Sequence, residues 1–414
     1  MAERIRTQVV VVGGGHNGLA MSCRLSEQGV EHVVLERGQV GDSWRRQRWD
    51  SFTLLTPNWQ ARLPGYTYDG DDPDGFMTAA EIVRFIDDYA VRIAAPVRAG
   101  VEVTAVRLGE GGYEVVTSEA VWSCRAVVLA GGACSLPSVP ECAKAVPEGI
   151  QQVNPLEYRH PDQLPNGGVL VVGAAATGVQ LAEEIQSSGR RVLLSVGEHV
   201  RMPRTYRGVD IQSWMEQIGR LDERYTDVEE ILKARKVASP QLVGTPERRT
   251  LDLNRLTDLG VDLRGRLGGI RDGTAMFSGG LRNHCALADQ KLGRLLDDID
   301  DWITAQGLDG EVAPAERFEP TRVERGAPLA LDLERGEVAT IVWATGFRPD
   351  LSWVDLPVFG PHGELLHDGG VVTDVPGVYF MGASFLRRRA SSFIHGAVDD
   401  SAELAEHLVD YLAT

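Results

Sequence analysis

Gly13, Gly15 and Gly18, with Glu36 beyond them, are residues whose types and spacing can do chemistry together. The first glycine of such a set permits a tight turn, the second lets a diphosphate come up to the backbone, and the third lets a helix pack closely on a strand. The phosphates rest on the helix N-terminus, where free N–H groups and the helix dipole favour negative charge. An acid at the position of Glu36 can grip the diol of a ribose. Asn17 and Arg37 join this set as cofactor-binding candidates. A second set stands at Gly173, Ala175, Thr177 and Gly178, where Ala175 allows close approach but not the closest. Glu36 lies 23 residues after Gly13, and 23 residues after Gly173 is Val196, so the second ribose acid is missing. Loss of that acid is what a 2′-phosphate requires, and Arg201, Arg204 and Arg207 follow as its candidate partners, with Ser195 beside them. Glu198 is a contrary sign, since a carboxylate there would repel a phosphate and could hold a diol.

The elements that must position these residues are legible from periodicity. Val9-Val10-Val11-Val12 reads as a buried parallel strand, followed by a helix over 19–28, a stop at Gly29, and a strand over 32–35 that delivers Glu36. The same order recurs as a strand over 169–172, a helix over 179–188, Gly189 and a strand over 192–196. Between them, Thr78-Ala79-Ala80-Glu81 forms a capping box before a helix over 82–93, strands are expected at 101–103 and 113–116, and the stretch over 126–132 is expected to close the first sheet. Beyond them lie a charged helical insertion over 221–236, short strands within 260–277, and a long helix over 281–303. Asp297, Asp298, Asp300 and Asp301 on that helix read as a solvated face rather than a metal site. A strand over 338–343 returns the chain to the first unit, and a helix over 397–412 presents Val398, Ala402, Ala405, Val409 and Leu412 as its apolar side. The fold class is therefore α/β with two Rossmann-like dinucleotide-binding domains: a first domain over 1–162 and 326–414, and an inserted one over 163–325. Two such sites, one with its acid and one without, imply FAD in the outer domain and NADPH in the inserted one.

The chain has 414 residues, 43% of them hydrophobic, and a formal net charge of −17. That size calls for more than one core, and that charge argues against nucleic acid and anionic membranes as partners. No apolar run reaches the ~18 residues of a membrane span. The first nucleotide strand begins too early for a removable leader, so a cytoplasmic protein is expected. Cys23, Cys124, Cys134, Cys142 and Cys285 are scattered, with no C-x-x-C, so neither a zinc ligand set nor a redox dithiol is readable. Disulfide reductases built on this architecture need paired cysteines soon after the first nucleotide motif.

Glu36, Gly41 and Trp44 form the pattern acid, four residues, glycine, two residues, tryptophan. With the segment from Leu54 to Gly65 and Trp343-Ala344-Thr345-Gly346-Phe347, this resembles class B flavin monooxygenases, the group of flavin-containing, Baeyer-Villiger and YUCCA-like enzymes. The resemblance implies that Gly41 and Trp44 lie along the flavin loop and that the Gly346 segment is a hinge between domains. The strand ending at Gly382 would arrive at the flavin, with Val103 and Ser392 as further cofactor contacts. Asn58 is the catalytic candidate: its side chain suits a hydrogen bond to the flavin or its peroxide, and a turn cap beside Pro57 is the competing role. His395, Arg387, Arg388 and Arg389 read first as structural or solvated residues. The chain departs from the family at Gly131, which replaces a threonine, and at Glu148, Ile150 and Asn154, which replace a phenylalanine, a glycine and a histidine of its fingerprint.

The resemblance further implies an NADPH-consuming monooxygenase. Its reduced FAD takes up oxygen as a C4a-(hydro)peroxide and passes one atom to a small organic substrate at a nitrogen, sulfur, ketone or carbon centre. A homodimer is compatible with this reading. Two alternatives stay open: an NAD(P)H:acceptor oxidoreductase or oxidase that releases hydrogen peroxide, and a non-enzymatic flavoprotein redox sensor.

Overall fold

The computed structural model describes residues 3–361 and 363–414. Strand β1 (Val9–Val12) is buried along its length, enters helix α1 (His16–Glu27), and is followed by β2 (His32–Glu36). Burying each of those valines contributes about 1.5–3 kcal/mol. Helix α1 starts three residues earlier than its apolar pattern suggests, because the glycine turn itself supplies the first helical residues. Helix α2 (Ala79–Arg92) opens on the expected capping box: Thr78 accepts from the Glu81 N–H while Glu81 accepts from the Thr78 N–H. Next come β3 (Val97–Ala99) and β4 (Ala126–Leu129), then β5 (Gln151–Val153) and β6 (Gly168–Val172). Helix α3 (Ala176–Ser187), β7 (Val192–Val196), α4 (Ile211–Gln217), β8 (Asp262–Gly265), α5 (Leu281–Gln306), β9 (Val338–Trp343), β10 (Val378–Phe380) and α6 (Gly396–Ala413) complete the frame.

Two parallel five-stranded sheets result, one in the order β10-β4-β1-β2-β3 and the other in the order β5-β9-β6-β7-β8. The strand over 338–343 is therefore central to the second sheet, between β5 and β6, and does not belong to the first. Five of its six residues are apolar and all but Ala339 are buried, which suits an interior position. The second sheet thus draws on chain outside 163–325 at both ends. An antiparallel sheet built on Val103–Gly109, Gly112–Thr117 and Ala120–Cys124 packs on the first parallel sheet through Val106, Val115 and Trp122. A smaller one, Leu267–Arg271, Thr274–Phe277 and Ala330–Asp332, covers the second through Ile270, Ala275 and Phe277.

Residues 221–236 do not form the expected helix. They are irregular apart from a 3-10 turn at Tyr225–Asp227 and a short helix at Ile231–Ala234. Their charges find partners elsewhere: Arg224 meets Glu403 on α6, Glu223 meets Arg389, and the Arg235 guanidinium donates to the Phe385 carbonyl. Arg387 and Arg388 also converge on Glu403, so the arginine run clamps this insertion to α6 rather than facing solvent or a phosphate.

The buried side of α6 is also turned from the expected one. Ala397, Ser401, Leu404, Ala405 and Leu408 are buried, Ala402 is exposed, and Asp400 is buried among the core-facing positions. Burial pushes the Asp400 carboxyl up to about 6, against the Arg388 guanidinium 3.6 Å away. A carboxyl raised on folding binds its proton more tightly in the native state, so its contribution is complete below the ordinary aspartate range and is lost as pH rises through about 6. Asp400→Asn is expected to raise stability by about 2 kcal/mol above that pH and to change little in acid, as urea unfolding across the pH range will show.

Candidate functional site

The first glycine turn is held by steric necessity. Gly13 has φ +114°, and a Cβ there would lie 2.4 Å from the Ala130 carbonyl oxygen. A Cβ on Gly18 would lie 1.9 Å from the Gly13 carbonyl oxygen, which is the close helix–strand contact that the third glycine permits. Gly15, at the N-cap of α1, has nothing within 4 Å of its Cβ direction, so the approach to the α1 N-terminus is open. Glu36 sits at the end of β2 with Oε2 accepting from the Gly14 N–H at 2.7 Å and Oε1 from the Gly38 N–H at 2.8 Å. These two bonds aim the carboxylate into a cleft.

That cleft is lined by Gly13, Gly15, Asn17, Glu36, Arg37 and Val103, all of them cofactor-binding candidates from the sequence. Gly131, which the family resemblance puts near the flavin as a backbone contact, lines it too, with Gly132, whereas Ser135 after β4 and Asp350 and Trp353 from the returning chain escaped sequence reasoning. Asn17 Nδ2 lies 2.9 Å from His16 Nε2, while its buried Oδ1 has no partner among the described residues. Burial lowers the His16 pKa to about 4, so the turn carries no imidazolium. Gly382, φ +82°, brings its Cα against Asn17, where a Cβ would stand 2.6 Å from Nδ2. Gly41, in the left-handed region, donates to the Gly14 carbonyl and starts the short helix bearing Trp44. The Trp44 ring packs on Phe52 and under the Arg48 guanidinium. An open turn, an oriented acid and an orphaned buried amide oxygen fit a dinucleotide at this place.

The second turn repeats the first in detail. Gly173 has φ +109° with a Cβ position 2.3 Å from the Ala344 carbonyl oxygen, and a Cβ on Gly178 would lie 1.9 Å from the Gly173 oxygen. Ala175 takes the N-cap place of Gly15, and Thr177 is in the first turn of α3. The Ala176 N–H bonds the Ser239 carbonyl at 3.3 Å, and Gln241 Nε2 donates to the Ala174 carbonyl. A diphosphate at this turn has to take that N–H from Ser239.

Several candidates are committed elsewhere. Arg201 is buried with Nε and Nη2 on Asp252 and Nη1 on Asp289, and Arg204 is fully buried with Nη2 on Asp210 and Nη1 on the Leu55 carbonyl. Arg207 is likewise spent on Asp300, Asp309 and the Ala313 carbonyl. With their charges already met by carboxylates, these arginines are not free for a 2′-phosphate. Asp300, expected on a solvated face, accepts from Tyr206, Arg207 and Arg317. Ser195 is buried, donating to the Gly265 carbonyl and accepting from the Leu267 N–H, so it is a brace. Ser392 is exposed on the 3-10 turn before α6, while its neighbour Ser391 is buried and accepts from two backbone N–H groups.

Asn58 is likewise engaged by the chain itself. It is buried, with Nδ2 donating to the Asp72 carbonyl at 2.9 Å and Oδ1 accepting from the Met77 N–H at 2.7 Å. Both polar ends brace the loop over 72–77, one bond from each. Asn58→Ala is expected to cost about 1–3 kcal/mol of stability, since it strips two buried backbone partners. It should leave the rate of flavin reduction per bound flavin unchanged, a comparison that urea unfolding and anaerobic rapid mixing make directly.

The segment around Asn58 lies between the two sheets' units. Thr53 Oγ1 donates to the Gly244 carbonyl, and Gln60 and Arg62 both reach Glu216 on α4. His395, at the N-cap of α6, is buried near this group, and burial with the Arg62 charge brings its pKa to about 4, leaving it neutral with Nε2 unpartnered among the described residues. Gly346 has φ +98° in the chain that leaves β9. Phe347–Arg348 pairs antiparallel with Leu136–Pro137 of the other crossover, and Thr345 Oγ1 donates to the Ser138 carbonyl at 2.5 Å. The two connections between the sheets thus form one ribbon.

The family model described as pyridine nucleotide-disulphide oxidoreductase matches residues 10–244. The chain is 27% identical over 409 residues to an uncharacterised CzcO-like oxidoreductase of Geobacillus kaustophilus, covering 97% of this chain and 98% of that protein. It is 29% identical over 218 residues to the indole-3-pyruvate monooxygenase YUCCA4 of rice, a match spanning 48% of this chain and 49% of that one. Its fold is similar to that of a flavin-containing monooxygenase from Stenotrophomonas maltophilia, with TM-score 0.64, 20% identity, and 98% and 99% of the two chains covered. The likeness to flavin monooxygenases drawn from the motifs is thus met again in a relative and in a solved fold.

Proposed function

The chain belongs to the pyridine nucleotide-disulphide oxidoreductase family, and from that premise we propose that it is a cytoplasmic NADPH-dependent FAD monooxygenase acting on a small organic substrate. The observation that carries this reading is the pair of matched glycine turns, the first with an oriented acid at Glu36 and the second with Val196 in its place. Despite the family's description, no disulfide partner pair is available: all five cysteines are free, and Cys23, Cys124 and Cys285 are buried. Electrons therefore have another destination than a protein dithiol. Bound flavin would supply hydride acceptance from NADPH and activation of molecular oxygen, with one oxygen atom going to the substrate and the other leaving as water.

The residues of the chain bind, orient and exclude water. Glu36 would hold the adenosine ribose of FAD, the α1 N-terminus with Gly15 would receive its diphosphate, and the paired ribbon at Leu136–Pro137 and Phe347–Arg348 would bound the NADPH unit. The dipole at the α6 N-terminus would stabilise negative charge on a flavin ring edge held before it. The stretch from Trp49 to Leu63, tied to α4 through Glu216, keeps solvent out between the units. The substrate is oxygenated at a nitrogen, sulfur, ketone or carbon centre.

Rapid mixing of the holoprotein with NADPH without oxygen, then with it, tests the reading. Bleaching of the flavin followed by slow return of its colour, faster and without hydrogen peroxide when substrate is present, is the expected result. Immediate return of colour with one peroxide per NADPH, whatever the substrate, would make it an oxidase. A flavin that neither NADPH nor NADH bleaches would make it a redox sensor.

A further inference from the structure

We infer that Arg266, and not the downstream arginines, recognises the 2′-phosphate of the reductant, an inference that rests on reading the second unit as the NADPH site. The two units superpose in register. In the first, Val12 on β1 pairs with Leu35 on β2, and the next residue is Glu36. In the second, Val172 on β6 pairs with Ser195 on β7, and the next residue is Val196, which is fully buried and can accept nothing. Gly197 follows without a side chain, and the stem of Arg266 lies over it: a Cβ built there would be 3.6 Å from both Cγ and Cδ. A cation thus stands beside the strand end where the first unit presents a carboxylate.

The position of Arg266 is built rather than incidental. It follows β8, which occupies in the second sheet the place that β3 holds in the first. The chain after β3 supplies Val101, Glu102 and Val103 to the wall of the first cleft, so the chain after β8 borders the corresponding place in the second. Ser195 fixes the backbone on both sides of Arg266, through the Gly265 carbonyl at 3.1 Å and the Leu267 N–H at 2.9 Å. The Arg266 carbonyl in turn accepts from the Ser278 N–H at 2.8 Å. Its guanidinium is exposed and has no ion-pair partner among the described residues, whereas Arg201, Arg204 and Arg207 are each paired with carboxylates. A ribose phosphomonoester, a dianion that accepts a forked pair of hydrogen bonds, matches that free guanidinium.

Titration calorimetry of the oxidised holoenzyme with NADP⁺ and with NAD⁺, for the native chain, Arg266→Gln and Arg266→Lys, tests the inference. Arg266→Gln should weaken NADP⁺ by roughly tenfold or more and leave NAD⁺ unchanged, with Arg266→Lys between the two. The NADP⁺ loss should shrink as salt rises, because the contact is at the surface. An unchanged ratio in Arg266→Gln, or an equal loss of both nucleotides, would overturn the inference. A native chain that binds NAD⁺ as well as NADP⁺ would overturn it too, yet the monooxygenase reading would survive if NADH bleached the flavin and oxygen transfer followed.

Discussion

Glu36→Ala is expected to give a folded protein that purifies without flavin. In the native chain the carboxylate is aimed by the Gly14 and Gly38 N–H groups, and no other side chain among the cleft's acids occupies the end of β2. A ribose diol would donate to it, and hydrogen bonds to an ionised acceptor are the strong kind, about 1.5–3 kcal/mol each. Losing them, with the aim of the turn itself, should weaken FAD by roughly a hundredfold or more. Stability of the apoprotein should fall far less, by about 1 kcal/mol, because the two freed N–H groups border an open cleft and can meet water. The ratio of flavin absorbance to protein after purification, and titration of apoprotein with FAD, read the effect. Retention of stoichiometric FAD in Glu36→Ala would leave the carboxylate only its role as a turn brace. Glu36→Gln, which keeps the shape and one acceptor, should fall between.

Asp210→Ala should produce the largest loss of stability, about 3–5 kcal/mol. Arg204 is fully buried and its Nη2 meets Asp210 Oδ1 at 2.6 Å, so the substitution strands a charge that water cannot reach. The same carboxylate accepts from the Gln212 N–H at the start of α4, so a helix cap is lost with the ion pair. Denaturant unfolding of Asp210→Ala measures the sum. The double variant Arg204→Met, Asp210→Leu should recover much of it, since apolar side chains of similar size can replace a buried pair at little cost. The NADP⁺ to NAD⁺ affinity ratio should be the same in the native chain and in that double variant. A ratio that collapsed would return Arg204 to the nucleotide.

The sequence by itself determined what is local in the backbone. Four valines in a row made a buried parallel strand, Thr78 and Glu81 made a capped helix start, and Gly13 and Gly18 stood where any Cβ would strike a carbonyl. The repeat of the same order at Gly173 and Gly178 made the second unit equally readable. These features depend on φ angles and on side-chain periods, which neighbouring residues decide.

Only the tertiary structure decided which charges meet. Arg201, Arg204 and Asn58 had the right types for a site, but their partners come from Asp252, Asp210 with the Leu55 carbonyl, and the loop over 72–77. The strand over 338–343 looks alike in either sheet until β5 and β6 flank it, and the buried side of α6 follows from what packs on it, Asp400 included. Arg266 carries no motif; it matters because Ser195, 71 residues earlier, pins its neighbours beside Gly197. The physical reason is that a polar side chain takes whichever partner the folded chain delivers within about 3 Å, and sequence distance says nothing of that delivery.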